Sequence, residues 1–98
     1  MQEQQFEQLI IRAENALSAG WLDECKDLLE TVRLEYGESS RWANNCGVLA
    51  VHQSRFNDAI HFFEHAFHLD ATNVSAAMNL AKILAMAERK ADAIKLLE

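Results

Sequence analysis

Ala59-Ile60-His61-Phe62-Phe63-Glu64-His65-Ala66 lies within residues 40–73, the stretch from which the rest of the chain can be read. Small residues recur there where a neighbouring helix must come close: Gly47, Ala59 and Ala66, with the large Phe63 four residues after Ala59. Residues three and four apart share one face of an α-helix. The spacing therefore predicts the second helix of a two-helix hairpin whose first helix carries Gly47. The same pattern returns on both sides at a period of 34 residues without insertions. Ala13, Gly47 and Ala81 coincide, as do Cys25, Ala59 and Ala93, and Leu29, Phe63 and Leu97. Small residues mark the contacts between helices and large ones fill the space between.

Toward the N-terminus, Phe6, Leu9, Ile10, Ala13, Ala16 and Leu17 make one apolar helical face over residues 5–19. Gly20 ends it, since glycine takes the left-handed conformation past a helix end at no steric cost. A second helix is expected over 22–36, with Leu22, Cys25, Leu28, Leu29 and Val32 inward and Asp23 and Glu24 in the first turn, where they oppose the helix dipole favourably. Gly37 ends that helix, and Ser39 or Ser40 caps the next. The third helix, 41–52, presents Ala43, Cys46, Gly47 and Ala50 on one side, and Ser54 sits in the turn that follows. The fourth, 56–69, turns Ala59, Ile60, Phe63, Ala66 and Phe67 inward, with Thr72 or Asn73 as the next cap. A fifth is expected over 74–87 through Ala77, Leu80, Ala81 and Leu84, and a sixth from residue 90 with Ala93, Ile94 and Leu97.

Composition agrees with a single all-α domain over residues 1–98. The chain is 50% apolar and 24% charged, with no proline and three glycines, so intrinsic propensity favours helix nearly throughout. The net charge of −6 argues against nucleic acid or an anionic membrane as the main partner. That charge is uneven: residues 6–39 hold eight acidic against three basic side chains, whereas 74–98 hold three against four. No apolar run approaches the roughly 18–20 residues of a membrane span, and Met-Gln-Glu-Gln-Gln lacks the regions of a signal peptide. A cytoplasmic setting is expected. Cys25 and Cys46 occupy positions that want small buried side chains and read as structural thiols.

Residues 40–73 resemble a tetratricopeptide repeat, whose pattern places Trp, Leu-Gly, Tyr, Ala, Phe and Pro at set positions in 34 residues. Ala43, Cys46-Gly47, Ala50, Ala59, Phe63 and Ala71 stand at those positions here. Asp70-Ala71-Thr72-Asn73 replaces the family's Asp-Pro-Asn-Asn, and Phe56-Asn57-Asp58-Ala59-Ile60 is similar to its Tyr-Asp-Glu-Ala-Ile. Residues 6–39 form a looser copy and 74–98 a truncated third. The resemblance implies an α-α superhelix, a right-handed solenoid of about two and a half helical hairpins. Such an array binds proteins and carries no chemistry of its own.

It also implies that the first helices of successive repeats line a concave face. By register that face carries Ile10 and Glu14; Arg41, Asn44, Asn45, Val48 and His52; and Met78, Asn79 and Lys82, together with Glu7, Leu17, Val51, Ser75 and Met86. The asparagines either bond the backbone of an extended peptide or simply suit an exposed helix side. Val48, Val51, Met78 and Met86 offer adaptable apolar contact. Chaperone-binding members of the family clamp a terminal carboxylate at five positions, filled here by Ile10, Glu14, Asn45, Ser75 and Asn79. Only Asn45 suits that task, so capture of acidic C-terminal peptides is not expected.

Other chemistry has little support. His61-Phe62-Phe63-Glu64-His65 matches the inverted zinc-protease pattern H-x-x-E-H, but in the repeat register His61, Glu64, His65 and His68 fall on the outer solvated side without a third ligand. Phosphate loops and nucleophile motifs are absent, so no catalytic residues, metal or cofactor are assigned. Trp21 and Trp42 either pack over a turn or neighbouring helix or serve as exposed anchors. The expected function is a protein–protein interaction module, a scaffold or accessory domain of a larger protein. Two alternatives are self-assembly through the uncapped C-terminal end at Ile94 and Leu97, and a non-catalytic targeting segment of a larger enzyme.

Overall fold

Helix formers without proline build long helices, and turn chemistry decides where they stop. The computed structural model describes the backbone of residues 2–97 and the side chains of residues 4–89. Along these residues run α1 (Gln2–Ala19), α2 (Leu22–Tyr36), α3 (Ser40–His52), α4 (Phe56–Leu69) and α5 (Val74–Leu97). The all-α fold and the hairpin array expected from the period are both present. Helices α1 and α2 pack as one hairpin and α3 and α4 as a second, with α3 bridging to α2 and α5 covering part of α4. The array is elongated, 57 × 28 × 18 Å.

Two turns 34 residues apart use one device. Gly20 has φ 80°; its N–H donates to the Leu17 carbonyl at 3.1 Å while Trp21 N–H donates to that of Ala16 at 2.8 Å. Ser54 has φ 60°, with Ser54 N–H on the Val51 carbonyl at 3.0 Å and Arg55 N–H on that of Ala50 at 2.8 Å. This nested pair of bonds closes a helix on a left-handed residue. The caps fall where the sequence puts them. Ser39 Oγ accepts from Trp42 N–H, and Asn73 Oδ1 from Ala76 N–H. Ser40 ties three elements together, donating to the Ala66 carbonyl at 2.6 Å and accepting from Asn73 Nδ2 at 2.8 Å.

The core follows the register in the first two hairpins. Ala13 and Gly47, Cys25 and Ala59, and Leu29 and Phe63 are all buried. A Cβ placed on Gly47 would collide with Phe63 Cε1, so the ring lies directly on the backbone of α3. Only glycine fits there. Phe67, expected inward, is exposed.

The third repeat departs from expectation. No turn separates residues 74–87 from 90 onward; α5 is one helix of 24 residues. Glu88 stands at the register of Gly20 and Ser54, yet it lies within α5, in a run of Ala85, Met86, Ala87, Glu88 and Arg89 that has high helix propensity throughout. In a straight helix the positions of Ala81 and Leu97, 16 residues apart, lie about 24 Å from each other along the axis. The contact made by Gly47 and Phe63 therefore has no counterpart within this helix. Ala81 and Leu84, expected inward, are exposed, and the buried seam of α5 runs instead through Ala76 and Ile83 with Leu80 half-buried. The side chains of Ala93, Ile94 and Leu97 lie outside the described residues.

Candidate functional site

Three first helices, α1, α3 and α5, supply the residues assigned to the concave face. Much of its polarity is spent within the molecule. Arg41 reaches from α3 to α1, with Nη2 2.8 Å and Nε 3.0 Å from the Glu14 carboxylate and Nη1 3.1 Å from that of Glu7. Asn45 Nδ2 donates to Glu14 Oε2 at 2.9 Å. On the next pair of helices Asn79 Nδ2 donates to Asn44 Oδ1 at 3.0 Å. Each of the three asparagines thus bonds across neighbouring first helices. They fasten one repeat to the next.

Two assignments to this face need correction. Ile10 is fully buried: it lies in the turn between Glu7 and Glu14, the two carboxylates that Arg41 spans, and belongs to the main apolar cluster with Ala13 and Leu17. Asn45 is only 5% exposed and is the one buried polar side chain among the described residues. Neither offers a surface for a partner. Glu14, Arg41, Asn44 and Asn79 are half-buried, as is Val48, while His52, Met78 and Lys82 are exposed. What remains accessible on this face is chiefly an apolar and basic strip, with Met78 53% exposed.

The Glu14 carboxyl shows how the bridge is balanced. Burial alone would raise its pKa, but hydrogen bonds from Arg41 and Asn45, together with the charge of Arg41, hold it below the ordinary carboxylate value. A carboxyl with a depressed native pKa stabilises the fold above its unfolded pKa of about 4.3, and that contribution is lost as pH falls through the native value. Glu14→Gln should therefore cost about 0.5–1 kcal/mol at pH 7, a figure kept small because both partners are more than a third exposed. Urea unfolding at pH 7 and pH 3 checks this: the gap between variant and parent narrows at the lower pH.

The remaining candidates are inert or outward-facing. Cys25 and Cys46 are free and buried; burial pushes their thiols up to about 11 and about 12, and at Cys46 the neighbouring Cys25, Glu38 and Glu30 add to the rise. Thiolate chemistry at neutral pH is suppressed at both. His61, Glu64 and His68 lie on the outer side of α4 as the register required, and His65 Nε2 is 3.0 Å from Glu38 Oε1. Among the described residues no three His, Cys, Asp or Glu side chains gather as a metal site. Trp42 resolves toward packing: it is buried, its Nε1 donates to the Leu29 carbonyl at 2.9 Å, and its ring meets Phe62 edge-on at 6.2 Å. Trp21 is 62% exposed. Among the described residues no helix is long and apolar enough to cross a membrane.

Comparison with known proteins adds three findings. A family model described as tetratricopeptide repeat matches residues 50–98. Over 53 residues the chain is 45% identical to "Protein O-mannosyl-transferase Tmtc3" of Drosophila melanogaster, a match that covers 54% of this chain and 6% of that protein. No solved structure matches the chain.

Proposed function

The chain belongs to the tetratricopeptide repeat family, and from that premise we propose that it binds a protein or peptide segment along the face of its first helices. Tetratricopeptide repeats mediate protein–protein interaction and form non-catalytic modules. The observation that carries the finer reading is the division of labour on α3 and α5. Asn44 and Asn79 hold the two helices together, which leaves Met78, Lys82 and His52 exposed beside them. Flexible methionine adapts to varied side chains, and a face already fastened loses little entropy on binding.

The experiment uses a photo-reactive benzoyl-phenylalanine installed either at Met78 or at Leu34, an exposed position on α2. In source-cell lysate, irradiation should yield partner adducts from position 78 that disappear with Lys82→Glu. Adducts from position 34 alone, or none from position 78, would overturn the reading.

The matched relative is named as a mannosyl-transferase, which supports the view that this chain serves as a non-catalytic accessory segment of a larger protein. A second reading, self-association through α5, is favoured by the exposure of Val74, Leu84 and Met86 along that helix. Light scattering that gives twice the mass of the chain, returning to a single mass with Leu84→Glu, would support it over groove binding.

A further inference from the structure

The second helices α2 and α4 both pack on α3, but among the described residues their backbones do not approach each other closely. Between them lies a half-open cavity of about 260 Å³. It sits on the side of α3 away from Arg41, Asn44 and Val48, because the α3 residues that line it, Trp42, Cys46, Leu49 and Ala50, are all about 80° or more around the helix from those three. The floor is apolar, with Trp42, Leu29 and Phe62, whereas the rim carries Lys26, Arg33 and Arg55 against the single carboxylate Glu30.

The floor is preorganised. Trp42 is fixed by its bond to the Leu29 carbonyl and by its edge contact with Phe62, so an entering side chain meets walls already in place. The rim is available as well. Arg33 is paired with Glu30 and Arg55 with Asp58, both within their own helical turn and both exposed, and exposed pairs of this kind exchange readily for a better acceptor. Lys26 makes no ion pair among the described residues. Three of the nine lysines and arginines of a chain with net charge −6 therefore surround one apolar cavity. Pockets for small molecules usually hold roughly 300–1,000 Å³. This volume suits one large side chain better than a metabolite.

We propose that the cavity between α2 and α4 is a docking site for an acidic protein segment, which seats one leucine or phenylalanine against Trp42 and places its flanking carboxylates on Lys26, Arg33 and Arg55. The site is separate from the face of the first helices, so a partner bound there leaves Met78 and Lys82 free. Complementary charge sets which segments approach, and the aromatic floor sets which side chain enters.

The test titrates the whole chain into a fluorescein-labelled peptide, Glu-Asp-Leu-Phe-Asp-Glu, and reads polarisation at low salt. Saturable binding is expected, weakened tenfold or more by Lys26→Glu combined with Arg55→Glu, unchanged by Met78→Glu, and lost when the peptide's Leu-Phe becomes Ala-Ala. Both substituted side chains are exposed, and circular dichroism verifies that helicity is kept. A second measurement leaves the cavity unaltered: in a Trp21→Phe background Trp42 is the sole tryptophan, and its emission should shift as unlabelled peptide is added. Absence of saturable binding, equal affinity of the charge-reversed variant, an unmoved Trp42 emission, or equal binding of a peptide flanked by lysine and arginine would each overturn the proposal. Loss of binding with Met78→Glu instead would assign the peptide to the other face and overturn it too.

Discussion

Phe63→Ala should lower the free energy of unfolding by about 3–5 kcal/mol, a large part of the roughly 5–15 kcal/mol that holds a domain of this size together. Phe63 is the largest fully buried side chain among the described residues, and the position facing it, Gly47, has no side chain with which to fill the void. Its ring rests on bare backbone, where a Cβ on Gly47 would collide with it. The opposite change tests the same contact. Gly47→Ala gains about 1 kcal/mol of helix propensity but overpacks the ring, at a cost of about 1–3 kcal/mol. The two substitutions together should cost clearly less than their sum, since each relieves the strain or void left by the other. Urea unfolding followed by circular dichroism at the helix band measures all three variants. A Phe63→Ala loss below about 1 kcal/mol would mean that α4 does not depend on this contact.

Trp42→Ala should have an effect of similar size, about 3–5 kcal/mol, for a different reason. Trp42 belongs to α3 but its indole N–H is satisfied by the carbonyl of Leu29 in α2, so the residue joins successive hairpins rather than the two helices of one. Its loss should separate the unfolding of the two hairpins, seen as a broadened transition with a reduced denaturant slope. Trp21→Phe is the control, expected to change stability by no more than about 0.5 kcal/mol, because Trp21 is largely exposed. A sharp, unshifted transition for Trp42→Ala would show that the interface between hairpins is held elsewhere.

The period was legible because packing in a stack of hairpins repeats its steric demands. Gly47 and Phe63 announce a contact on their own, and their counterparts at Ala13 and Leu29 confirm its spacing. The bounds of α2 and α4 followed from Gly20, Gly37 and Ser54, whose local turn chemistry needs no tertiary information. The continuity of α5 had a local signal that went unread: Glu88 occupies the register at which the two earlier turns take positive φ. Ile10 was misplaced for a physical reason. Register fixes which side of a helix a residue occupies, but not how far the neighbouring helices pack over that side, and Ile10 lies in the main apolar cluster. The roles of Asn45, Asn44 and Asn79 were hidden in the same way, because an asparagine that binds a partner and one that binds Glu14 or another asparagine have the same spacing. The cavity between α2 and α4 left no trace in the pattern at all, since it depends on the spacing of two helix backbones.

The bonds from α1 to α3 and from α3 to α5 differ in kind. Arg41 with Glu7 and Glu14 joins α1 to α3 through charge, while Asn44 and Asn79 join α3 to α5 through a neutral bond. Dissolved ions screen partly exposed charges over about 8 Å at physiological ionic strength, and they leave a neutral amide bond nearly untouched. Added salt should therefore loosen the contact between α1 and α3 while leaving that between α3 and α5 nearly unchanged, a difference that hydrogen exchange at two ionic strengths would read.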